Sequence, residues 1–170
     1  MDRRASAGPR LEWGARCLGA ALAVSVAAAA AADTGRWRIA GGSGSASASL
    51  LSSNSLLIGN RQLEYHPMLS LSCTAGGDWS QSVRLRGQVG SGAVPVTVQI
   101  DGKSATETWT AGTRGGSLTR GGRDGIARLA KGDRLSLSWK NGLFSGAGQA
   151  VFSLSGIDDV LTELSQACGG

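Results

Sequence analysis

The chain has 170 residues, 27 of them glycine and only 5% aromatic, with 17 basic side chains against 12 acidic ones for a net charge of +5. That length fits one domain around one core, and a composition rich in glycine and serine but poor in aromatics argues against long helices and for short strands with many turns. Much of the basicity belongs to residues 1–32, where four arginines stand against Asp2 and Glu12; the remainder holds 13 basic and 10 acidic side chains, a net +3.

Residues 1–32 read as a signal peptide. Arg3, Arg4, Arg10 and Arg16 form a basic start, Leu18 to Ala32 is uncharged, and Ala30, Ala31 and Ala32 are the small residues a signal peptidase accepts. Cleavage is expected between Ala32 and Asp33. The rival reading is a membrane anchor, but the apolar run of about fifteen residues falls short of the roughly twenty that span a bilayer. Cys17 precedes that run, which does not suit a lipoprotein attachment site. No stable membrane span is therefore expected after removal of the signal, and the mature protein is expected in the periplasm or outside the cell.

The mature chain keeps two cysteines, Cys73 and Cys168. An even number in an exported protein predicts one disulfide. The bridge would close a loop of roughly a hundred residues, for which the chain-entropy model gives up to about 4.7 kcal/mol. Two thiols and a single histidine do not make a four-ligand metal set, so no metal and no cofactor are expected.

Along the chain, Trp37 to Ile39 predicts a first strand, and Gly41 to Ser49 reads as a linker or an ordered bend with too little apolar surface to pack. Residues 33–49 are thus expected as an N-terminal strand and linker, and residues 50–170 as one disulfide-stapled domain. Leu50 to Ile58 resumes apolar character without clean alternation. Leu69, Leu71 and Cys73 then alternate with serines, as do Val83 and Leu85 with arginines, and each set predicts a strand with one inward face. Gly76-Gly77-Asp78 turns the chain between them. Pro95 opens a strand with Val96, Val98 and Ile100 facing in, and Asp101-Gly102 signals a type I′ hairpin returning through Lys103 to Trp109 and Thr110. Ala111 to Gly125 reads as a glycine-rich loop, followed by a short helix over Ile126 and Leu129 that ends at Gly132. Leu135, Leu137 and Trp139 predict a strand, Asn141-Gly142 a turn, and Ala150, Phe152 and Leu154 a last strand. Ile157, Val160, Leu161, Leu164 and Cys168 then share one helical stripe, with Ser155 and Asp158 at the spacing of a capping pair. The expected architecture is mainly β: an antiparallel β-sandwich, with a partly open barrel as the alternative, carrying one short internal helix and one C-terminal amphipathic helix.

A strand ending in LSLSC, a V-x-V-x-I-D-G hairpin followed by tryptophan, and a terminal F-x-L-x-G-I helix ending in A-C together resemble the VasI/TagO-type proteins associated with bacterial type VI secretion. The matching positions include Cys73, Val98, Ile100, Asp101, Gly102, Trp109, Phe152, Leu154, Gly156, Ile157, Leu161, Leu164, Ala167 and Cys168. The chain departs from that pattern at Ser52-Ser53-Asn54-Ser55, where relatives are acidic, and between Gly112 and Gly125. The resemblance implies an exported accessory factor and not a known enzyme.

Few residues point to chemistry. Arg-Gly-Gly occurs twice, at Arg114 and Arg120, with Arg123 close behind; such units bind RNA in disordered segments, but an exported loop rarely meets RNA, so no nucleic-acid partner is expected. Residues 101–140 hold eight basic side chains against four acidic ones, which makes Arg114, Arg120 and Arg123 candidates for an anionic partner. His66, the single histidine, precedes Pro67 and is accompanied by no nucleophile-elbow motif. Two functions remain: an exported accessory module docking on a cell-envelope protein, with type VI secretion as the resemblance suggests, or a small ligand carrier or hydrolase built around His66.

Overall fold

Period-two alternation sets the architecture, including two segments where small or polar side chains hide it. The structure is a computed structural model describing residues 34–58, 63–86, 89–140 and 147–169. The signal segment, its Ala32–Asp33 junction and the Asn141-Gly142 turn lie outside the described residues. In chain order the strands are β1 (Arg38–Gly42), β2 (Ser45–Leu51), β3 (Leu56–Ile58), β4 (Leu63–Tyr65), β5 (Met68–Thr74), β6 (Trp79–Arg84), β7 (Ala93–Ile100), β8 (Lys103–Ala111), β9 (Ser117–Gly121), β10 (Arg134–Lys140) and β11 (Ala147–Ser153). Helix α1 (Arg123–Leu129) follows β9 and α2 (Ile157–Ala167) follows β11.

Nine strands form one antiparallel sheet in the order β1-β2-β5-β6-β9-β8-β7-β10-β11, and β3 and β4 form a separate hairpin. The sheet bends back on itself. Beyond β2, the Ser53 N–H donates to Val151 O at 2.7 Å, and Asn54 bonds both Gln149 O and the Val151 N–H at 2.8 Å. These contacts strap the second strand of the sheet to its last, β11. The result is mainly β and agrees with the expected sandwich or partly open barrel.

The inward faces of the two halves meet in one core. Leu50, Leu69, Leu71 and Val83 come from one half, Val96, Trp109, Leu137 and Phe152 from the other, and all are buried. This contact between halves takes apolar side chains out of water, at roughly 25 cal/mol per Å² of apolar surface buried. The predicted inward residues of β5, β7 and β10 are buried, except that Ile100, at the hairpin end, is half-buried. Pro95 stands where the β7–β10 ladder stops, just beyond the Val96–Trp139 pair, so its missing N–H breaks no bond there.

Two expected irregular segments are strands. The proposed linker contains β2, whose Ala46, Ala48 and Leu50 alternate with serines and are buried. Alanines give too weak a pattern to read as a strand, yet their small size suits a position under α2, which packs on β2. The proposed loop from Ala111 to Gly125 holds β9 and the first turn of α1. Only Leu118 of β9 is apolar; the strand is imposed by pairing with β6 and β8 rather than by its own pattern.

Helix α2 buries Ile157, Val160 and Leu164, as its stripe predicts, with Leu161 half-buried. Its expected Ser155 cap is absent. The chain instead enters through Gly156 in the left-handed region at φ 78°, with no side-chain capping bond, and the Ile157 N–H donates to Leu154 O at 3.0 Å. At the other end Cys168 is bonded to Cys73 across 95 positions, with the Cα atoms 6.1 Å apart.

An open strand edge beside an ion-pair cluster

The β7–β8 turn fixes which backbone groups of β8 face outward. Asp101 and Gly102 both have positive φ, 46° and 85°, and Ile100 lies opposite Lys103. In such a two-residue hairpin the flanking pair exchanges hydrogen bonds, so Ser104, Thr106 and Thr108 turn their N–H and C=O groups away from β7. The Asp101 carboxylate accepts the backbone N–H groups of Asp133 and Arg134 at 3.0 and 2.9 Å, which seats the hairpin against the start of β10.

Strand β8 pairs with β7 from Lys103 to Thr110, but it meets β9 only at Thr110–Thr119 and Ala111–Leu118. The two strands part beyond Thr110–Thr119, where β9 stays paired with β6 through Gly121 and then turns away. At Gly122 φ is 105°, and its N–H donates to Trp79 O at 2.9 Å; the chain then turns into α1, which packs on β6. Ser104, Thr106 and Thr108 are exposed and pair with no second strand among the described residues.

Charged side chains bridge the inner side of this gap. Glu107 and Trp109 share the inward face of β8, while Arg120 of β9 lies opposite Gln81 of β6. The Glu107 side chain is only 9% exposed and is met by Arg120 Nε at 3.0 Å and by Arg128 Nη2. Trp109 Nε1 donates to the same carboxylate at 3.3 Å. Arg120 also meets Asp124 at 2.6 Å. Gly125 lies directly on this group: a Cβ there would fall 2.6 Å from Gln81 Nε2 and closer still to Arg120 Nη1. The first turn of α1 thus rests on a guanidinium, and a side chain at this position would have to push the ends of Arg120 and Gln81 aside.

The hydrogen bond from Arg120 holds the Asp124 carboxyl below the ordinary carboxylate range. A group depressed in the folded state adds stability that is present above its unfolded pKa and is lost as pH falls through the folded value. We expect the wild-type urea midpoint to fall as pH drops below the ordinary carboxylate range. Asp124→Asn should lose part of that slope, and an identical slope in the two proteins would refute the assignment.

The three arginines singled out from the sequence occupy different settings. Arg114 is exposed in a 3-10 turn, Thr113–Gly115, with φ 61°. Arg123 is exposed and holds its guanidinium 5.6 Å above the Trp79 ring. Arg120 is turned inward and committed to two carboxylates, so it is a scaffold residue rather than a free surface cation. His66 is half-buried, with Nδ1 2.9 Å from Ser52 O. The Ser52 hydroxyl donates to Asn54 O at 2.6 Å, so the nearby serine is turned to the backbone and not to the imidazole. Among the described residues no three metal-capable side chains gather, and no helix is long and apolar enough to cross a membrane.

The sequence reading passed over Lys103, Arg128 and Lys131. They rim a cavity of about 310 Å³ beside the β8 edge, floored by Val98, Ile100 and Ala105. A signal was present, since KSATET lacks the apolar alternation that fills the paired strands.

Comparison with family models, with curated proteins and with solved structures gives no match.

Proposed function

We propose that this protein is an exported accessory module of the bacterial cell envelope that docks on an envelope protein through the open edge of β8. The observation that carries the reading is the parting of β8 from β9, which leaves alternate backbone donors and acceptors exposed on a strand held rigid from its other side. The N-terminal leader supports export, and a cystine burying both sulfurs suits an oxidising compartment. The resemblance to VasI/TagO-type proteins supports a partner within a secretion apparatus. The alternative reaction centre at His66 gains no support from a ring nitrogen engaged by a backbone carbonyl.

The test is photo-crosslinking in the native cells, with the crosslinking residue placed at Ser104 or Thr106 of the full chain and, as a control, at exposed Glu163 on α2. We expect a discrete adduct with one envelope protein from the β8 positions and none from the control. A folded, exported protein that gives no adduct from β8 would overturn the docking role, and recovery in the cytosol with the leader attached would overturn export.

A further inference from the structure

We infer that the β8 edge takes an extended acidic segment of its partner, added as a strand beside β8 and facing α1. This rests on the docking reading of the same edge and specifies what occupies it. Three features of the slot define the occupant.

The first is the backbone. Ser104, Thr106 and Thr108 offer three outward N–H and C=O pairs, one every second residue, which is the pattern an antiparallel or parallel strand completes. A folded surface or a lipid headgroup does not satisfy such a row, whereas an extended peptide does.

The second is charge. Lys103 lies at the hairpin end of β8, and Arg128 and Lys131 lie at the C-terminal end of α1 and just beyond it, all three lining the cavity. Arg128 is held by Glu107. Lys103 and Lys131 have no carboxylate partner among the described residues. Asp101, the acid nearest to them on the cavity wall, directs its carboxylate to the Asp133 and Arg134 amides. The rim is therefore net positive, and complementary charge on an incoming strand fixes its register and speeds encounter.

The third is the floor. Val98, Ile100 and Ala105 supply apolar surface under the rim. Side chains of an added strand alternate between faces, so a segment alternating acidic and aliphatic residues would set aliphatic groups on this floor and keep its carboxylates near the lysines.

The experiment measures fluorescence anisotropy of the purified, oxidised protein with a labelled, end-capped peptide that alternates glutamate and valine. The comparison probes are the same peptide with lysine for glutamate, the acidic peptide methylated on its central backbone nitrogens, and decanoate as a small amphiphilic anion. We expect the acidic peptide to bind and its affinity to fall as salt rises. A Lys103→Glu/Lys131→Glu variant, altered at solvent-facing positions and checked for an unchanged unfolding midpoint, should bind it roughly tenfold or more weakly. The lysine and methylated peptides should not bind. Equal binding of the methylated peptide would show that no strand is added, and decanoate displacing the peptide with the same lysine dependence would show a small-anion site; either overturns the inference. Failure of every probe overturns it as well, and a surviving crosslink at Thr106 would then show that the docking edge stands while its acidic occupant does not.

Discussion

Replacing Cys73 and Cys168 together with serine should lower unfolding stability by about 2–5 kcal/mol. The bridge spans 95 positions and joins the end of β5 to the end of α2. It also holds down a helix whose Ile157, Val160 and Leu164 complete the core over β2 and β5. Loss should therefore show twice: as a lower urea midpoint, and as weaker amide protection in α2 than in the central strands. Wild-type protein kept reduced should match the serine variant. Oxidised wild type and variant unfolding at the same urea concentration would refute a stabilising role for the bridge.

Glu107→Gln should also be damaging, at roughly 1–3 kcal/mol, because it removes one of the two carboxylates that Arg120 meets and leaves that guanidinium with the exposed Asp124 alone. Arg120 is 19% exposed and lies beneath Gly125, which limits its access to water. Arg128, at 43% exposed, can turn away, which keeps the cost below that of a fully buried pair. Adding Arg120→Met to Glu107→Gln should restore part of the loss, giving a coupling of about 1–3 kcal/mol in a double-mutant cycle. Additive effects of the two substitutions would mean that the pair contributes nothing beyond packing.

Much of the fold could be read where side chains are large enough to declare their face. Leu69-x-Leu71-x-Cys73, Leu135-x-Leu137-x-Trp139 and the α2 stripe point inward as written, and Asp101-Gly102 makes the turn its chemistry demands. The reading failed where tertiary packing overrides local pattern. Ala46 and Ala48 carry too little apolar area to signal a strand, and β9 has little to declare beyond Leu118, its place being set by β6 and β8. The open edge of β8 was hidden for a related reason. Nothing within KSATET states that a neighbouring strand will turn away at Gly122, nor that Arg120 will face inward to meet Glu107; both follow from contacts between segments distant in sequence. Arg120 was singled out for its Arg-Gly-Gly context, yet its role comes from the glycine five positions later.

The strap and the cystine also fix the order in which the chain can complete itself. Gly44 donates its N–H to Ala167 O at 3.1 Å, Asn54 is held by β11, and Cys73 is bonded to Cys168. Each early segment is thus closed by a late one. While the chain emerges from its N-terminus, β2 can pair with β5, but its alanine face stays wet until α2 arrives, and Cys73 waits for Cys168. The nascent protein therefore cannot close its core until its C-terminal helix has been made. Such non-local closure favours folding on the slower, millisecond-to-second scale of β proteins, and the Cys73–Cys168 bond, formed when an external thiol oxidant takes two electrons and two protons from the two thiols, can close only once the C-terminal helix has arrived.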